Sequence, residues 1–166
     1  MILKWKTSVT RLEKVLLIIL ALVLFLFVSC ALIFFRANQP MFVAKMQTTA
    51  IAKSAVGMKK VKKFYHFTRR KTYYSVKGRD SDNKEVYVIV PDSGSKVTVI
   101  EEDQGITEEK AVSLIKNPVQ KVLSTNIGIY DDQPVWEIVT KSGAKNYNYY
   151  LLDFKTGQNI KELKDV

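Results

Sequence analysis

Residues 15 to 35 read VLLIILALVLFLFVSCALIFF, an unbroken stretch without a charged side chain. About 21 residues at ~1.5 Å rise make a helix of roughly 31 Å, close to the thickness of a bilayer's hydrocarbon core. A core helix of a soluble protein carries a polar face, and this stretch has none. It is expected to be a transmembrane helix, with residues 1–14 as its tail. Lys4, Lys6, Arg11 and Lys14 against the single acid Glu13 favour a cytoplasmic N-terminus. The rest of the chain is then an extracellular domain on a single-pass protein of the cell membrane. Phe27-Val28-Ser29-Cys30 partly resembles a lipobox and Ser29-Cys30-Ala31 weakly resembles a signal-peptidase site. However, Ala31 to Phe35 carries the apolar run beyond both, and a secretory h-region is usually about 7–15 residues. An uncleaved anchor is expected. Cys30 is the only cysteine, so the exposed domain is held by its core and not by disulfides.

Beyond the span, residues 36–40 (RANQP) read as a short linker, and Met41 to Val56 as a helix ending at Gly57. Val43, Met46 and Ala50, flanked by Phe42 and Ile51, form its broad apolar side. Strands are expected at Lys62–Thr68, Thr72–Lys77, Glu85–Val90 and Lys96–Glu101, separated by Gly-, Pro- and Asp-rich turns. The pattern then restarts. Thr107 caps a helix whose first turn holds Glu108 and Glu109, with Ala111, Leu114 and Ile115 as a narrow apolar face. Lys116 fills its last turn and Asn117-Pro118 stops it. Strands follow at Gln120–Tyr130, Pro134–Thr140, Tyr147–Phe154 and Asn159–Leu163. Tyr87-Val88-Ile89, Ser93-Gly94, Val97 and Ile100 recur 63 residues later as Tyr150-Leu151-Leu152, Thr156-Gly157, Ile160 and Leu163. The expected fold is α+β: a transmembrane helix, then tandem helix-plus-antiparallel-sheet units at 41–103 and 104–166. Units of about 60 residues bury little surface alone, so the two are expected to pack as one body.

Residues that carry catalysis are not assembled in any familiar spacing. His66 is the sole histidine, and no cysteine outside the span joins it, so no metal site is expected. No nucleophile elbow, serine-lysine pair or phosphate loop is present. The acidic groups Glu101-Glu102-Asp103, Glu108-Glu109 and Asp131-Asp132 fall at turns and a helix start, as solvated carboxylates do. Neither catalytic residues nor a cofactor is expected.

Two features remain as candidate contact sites. Residues 37–80 hold eleven basic residues and one acid, densest at Lys59, Lys60, Lys62, Lys63, Arg69, Arg70 and Lys71. Such a run suits an anionic surface, either membrane lipid or an anionic wall polymer; it equally suits the solvated face of an edge strand. An extracytoplasmic location argues against nucleic acid. Tyr147, Tyr149 and Tyr150 lie in one strand beside Trp136 in its neighbour. Alternation puts Tyr147, Tyr149 and Leu151 on one face and Tyr150 and Leu152 on the other. One face must be core, with Trp136 in it, and the other is a candidate protein-docking surface.

Several segments together resemble a known family. Ile106-Thr107-Glu108-Glu109-Lys110-Ala111, Val135-Trp136-Glu137-Ile138 and the hairpin Tyr150-Leu151-Leu152-Asp153-Phe154-Lys155-Thr156-Gly157 are similar to segments of the YpmB/TseB cell wall elongation regulators of Gram-positive bacteria. Tyr73-Tyr74-Ser75-Val76-Lys77-Gly78 and Val86-Tyr87-Val88-Ile89-Val90-Pro91 are similar to its first unit. The resemblance implies tandem cystatin-like, PepSY-like folds, no catalysis, and association with a class B penicillin-binding protein that cross-links peptidoglycan. PepSY-like domains also suggest a protease inhibitor or modulator as an alternative. The basic run is not a family feature, and no function is carried onto it.

Overall fold

A computed structural model describes residues 10–94, 96–115, 121–143 and 146–164, without the side chains of residues 37 and 38. The basic residues Lys4 and Lys6, the helix end at Lys116 to Pro118, and Gln120 lie outside the described residues. The chain divides into two compact units, Met1–Val43 and Ala44–Val166.

The first unit is helical. Helix α1, Arg11–Val56, opens on a capping box: the Thr10 amide donates to Glu13 Oε2 at 2.7 Å, and the Glu13 amide donates to Thr10 Oγ1 at 3.4 Å. None of its apolar stretch is buried, and it is long and apolar enough to cross a membrane. The linker expected at 36–40 is not a break: these residues are helical, and Pro40 lies inside α1. Proline removes one amide donor but need not end a helix, and Arg36, Ala37 and Gln39 are good helix formers.

In the second unit, the end of α1 packs on a sheet of order β1-β2-β3-β4: β1 Lys60–Thr68, β2 Thr72–Arg79, β3 Glu85–Pro91 and β4 Thr98–Glu101. The buried stripe of α1 is Ala44, Thr48 and Ala52; of the expected apolar side Ile51 packs against the sheet, whereas Met46 is 58% exposed. Small residues let the helix approach the β-branched surface of Val76, Val86, Val88 and Val90. A short 3₁₀ turn, Glu102–Gln104, leads to α2, Glu108–Leu114, where Thr107 Oγ1 accepts from the Lys110 amide at 3.2 Å. Ala111 is buried as expected, but Leu114 is exposed, and Val112 packs inward instead. A second sheet of order β5-β6-β7-β8 follows: β5 Lys121–Tyr130, β6 Gln133–Ser142, β7 Asn146–Asp153 and β8 Asn159–Leu163.

Among the described residues every strand pair is antiparallel. At the β5–β6 turn both Asp131 (φ 48°) and Asp132 (φ 62°) are left-handed, the two-residue hairpin geometry that aspartate tolerates. The two sheets meet through β5, which lies against β1 and β2. Ser75 Oγ donates to the Ile127 carbonyl at 2.8 Å. The His66 amide donates to Asn126 Oδ1 at 3.4 Å, occupying the free edge of β1. Phe67 lies against Gly128, where any Cβ would collide with its ring. Tyr65, Tyr87 and Ile89 of the first sheet share one core with Ala111, Ile127, Trp136, Ile138, Tyr150, Leu152 and Phe154.

Candidate functional site

His66 is half-buried on β1, stacked on Tyr74 at 5.2 Å, with Nε2 at 2.9 Å from Thr68 Oγ1. Among the described residues no group of three His, Cys, Asp or Glu side chains could hold a metal ion. An open groove of about 960 Å³ lies between the β3–β4 turn and the β5–β6 turn, lined in part by Tyr73, Asp92, Val97, Ile129 and Asp132. Its two aspartates sit in turns rather than facing one another from buried positions.

The acidic groups do more than cap turns. Tyr65 donates from its hydroxyl to Glu108 Oε2 at 3.0 Å, and Tyr87 donates to Glu102 Oε1 at 3.1 Å. Lys63 Nζ reaches Glu108 and Lys77 Nζ reaches Glu102, each at 2.5 Å. Burial, then the adjoining Glu108, drives the Tyr65 hydroxyl far above the ordinary tyrosine range. Burial and Glu102 do the same to Tyr87. Both are therefore fixed donors that orient the two glutamates.

The basic run is largely consumed inside the fold. Lys62 pairs with Glu85, Lys63 with Glu108, Arg69 with Glu137 and Arg70 with Asp131. Lys59, Lys60 and Lys71 alone among the seven candidates lack an ion pair with a described residue. The acid-poor first half and acid-rich second half are thus complements. Edge position, the other expectation for the run, describes β1 correctly. Sequence reading missed this pairing because the partners are far apart along the chain.

Arg69 shapes the second sheet's outer face. Its guanidinium pairs with Glu137, only 8% exposed, and lies 4.8 Å from the centre of the Tyr149 ring. Arg70 stacks on Tyr130 at 5.3 Å. Alternation along β7 is as expected: Tyr147 and Tyr149 face outward and Tyr150 inward. Tyr150, however, is 6% exposed within the main core, so it is not available for docking. Leu151 faces outward yet is buried, because Phe67 folds over it together with Val135. Trp136 is in the core as expected, and its Nε1 donates to the Ile106 carbonyl at 2.9 Å.

Comparison with known proteins decides what this architecture belongs to. The chain is 30% identical over 117 residues to the "Probable cell wall elongation regulator TseB" of Bacillus subtilis strain 168, spanning 69% of this chain and 73% of the relative. The chain belongs to the TseB family. The family profile described as "Cell wall elongation regulator TseB-like domain" matches residues 47–91, the end of α1 and the first three strands. Among solved structures, the YpmB protein from Bacillus subtilis superposes with a TM-score of 0.61 at 28% identity, covering 72% of this chain and 95% of that one. The expected α+β fold is therefore the one observed: the apolar N-terminal helix read from the uncharged run and, among the described residues, two four-stranded antiparallel sheets.

Proposed function

We propose that this chain is a non-catalytic, membrane-tethered regulator of cell wall elongation that binds a class B penicillin-binding protein at the outer face of the membrane. Membership of the TseB family carries the reading. Support comes also from the single apolar helix, which suits a single-pass anchor, and from the way His66 and the acidic clusters are tied up in packing and ion pairs. The basic tail favours an N-terminus inside and a domain outside. The lipid-binding alternative is weakened by the ion pairs of Lys62, Lys63, Arg69 and Arg70.

Pull-down of the full chain from solubilised membranes, with its anchor intact, followed by mass spectrometry, should return a class B transpeptidase. A C-terminal reporter active only in the cytosol would contradict the topology, and repeated capture without any penicillin-binding protein would contradict the partner.

A further inference from the structure

The repeat hairpins differ by one residue, and that difference exposes an apolar side chain. In the first sheet Tyr87 pairs with Ile100, and Ile100 packs against the shared core. The equivalent residues 63 positions on are Tyr150 and Leu163. The second ladder instead pairs Tyr150 with Glu162 and Tyr149 with Leu163, one residue out of step with the first. Because side chains alternate, a one-residue slip moves Leu163 to the opposite face, where it is 41% exposed.

There Leu163 joins Tyr149, half-buried Val139 and exposed Tyr147 across three neighbouring strands, a surface about 10 Å wide. Lys121, Lys141 and Lys161 share that face. Lys121 pairs across the ladder with Lys141, Lys141 with Tyr147, and Lys161 with Leu151. Among the described residues none of the three is ion-paired, in contrast to Lys62, Lys63, Arg69 and Arg70 of the basic run. Lysines set directly opposite one another repel, and Lys141 Nζ sits over the Tyr147 ring at 5.6 Å, which leaves its charge without an acid among the described residues.

We infer that the outer face of the second sheet docks an acidic, aliphatic-containing extended segment of a protein partner. The three lysines, none with an acid partner among the described residues, supply the charge complement, and the Val139–Tyr149–Leu163 centre requires apolar side chains that a polyphosphate wall polymer does not have. The inference rests on the function proposed above for the identity of the partner, but not for the chemistry of the segment.

The test is a photo-crosslinking residue, p-benzoylphenylalanine, in place of Tyr147 in the full chain in its own membranes, with the adduct peptide sequenced. An acidic segment of a class B transpeptidase is expected. Reversing Lys121, Lys141 and Lys161 together to glutamate should lower adduct yield roughly tenfold, equivalent to about 1.4 kcal/mol of binding. Reversion to arginine should restore it. A triple glutamine variant serves if the reversed chain does not fold. An acidic segment from another protein would keep the docking face and remove the transpeptidase. No adduct, an adduct with wall polymer or nucleic acid, a non-acidic peptide, or a yield indifferent to charge in a folded chain would overturn the inference.

Discussion

The two sheets are built from the same parts, a preceding helix and a four-stranded meander, yet they are covered differently. The first is buried on both faces: Val76, Val86, Val88 and Val90 lie under α1, and Tyr65, Tyr87 and Ile89 lie in the shared core. The second buries Trp136, Ile138, Tyr150 and Leu152 on its inner face. Its outer face is covered in part, where Phe67, Tyr73 and Tyr130 pack with Val135 and Leu151 and where Arg69 reaches Glu137 and one side of Tyr149. A sheet packed on both sides has its side chains dictated by its neighbours. One open face leaves residues free to meet something else.

The contrast can be broken most forcefully at Trp136. Trp136→Ala should destabilise the domain by about 3–5 kcal/mol, read as the denaturant midpoint of the full chain in detergent. An effect below ~1 kcal/mol would mean the inner face is not a packed core. Gly128→Val forces the Phe67 ring away from β5, for about 1–3 kcal/mol by the same measurement. Removing the guanidinium in Arg69→Ala strands the buried Glu137, at about 2 kcal/mol; Arg69→Ala with Glu137→Gln should recover part of that.

Acid probes the first sheet. Burial disfavours the Glu85 carboxylate, but Arg79 and Lys62 outweigh this and hold it below the ordinary range. Glu109 is also lowered, by its own backbone amide and Thr107. Their folded forms hold the proton more weakly than the unfolded chain does, so this stability is complete above pH ~4.3 and fades as acid titrates through the depressed values. Urea midpoints should fall between pH 5 and pH 3, and Glu85→Gln should flatten part of that slope; an unchanged slope would remove the ion pairs from the account. The smallest effect belongs to the open face, where Tyr147→Ala should shift stability by no more than ~0.5 kcal/mol.

What was legible in the sequence was what local patterns encode. The apolar run, the hairpin turns and the period-two alternation of β7 placed the anchor, the eight strands and the inward Trp136. Three features depended on distant partners and were not legible. The buried stripe of α1 is set by how closely the valines of β2 and β3 demand that it approach, so its small residues won over Met46. The destinations of Lys63, Arg69 and Arg70 are carboxylates 45, 68 and 61 residues away. Tyr150 could be assigned to a face but not to burial until the core that faces it was known. The continuity of α1 through Pro40 was local, but it lies where a proline is compatible with both a break and a helix.

The long span between Arg69 and Glu137 has a kinetic side. Chain elongation at about 5–20 residues per second would deliver the acid roughly 3–14 s after the base. For that interval the newly made β1–β2 hairpin carries unneutralised cations, a bare strand edge awaiting Asn126 and a phenylalanine without its glycine seat. Maturation of this protein is therefore a waiting problem, in which the first sheet stays vulnerable to wrong partners until the second emerges to relieve it.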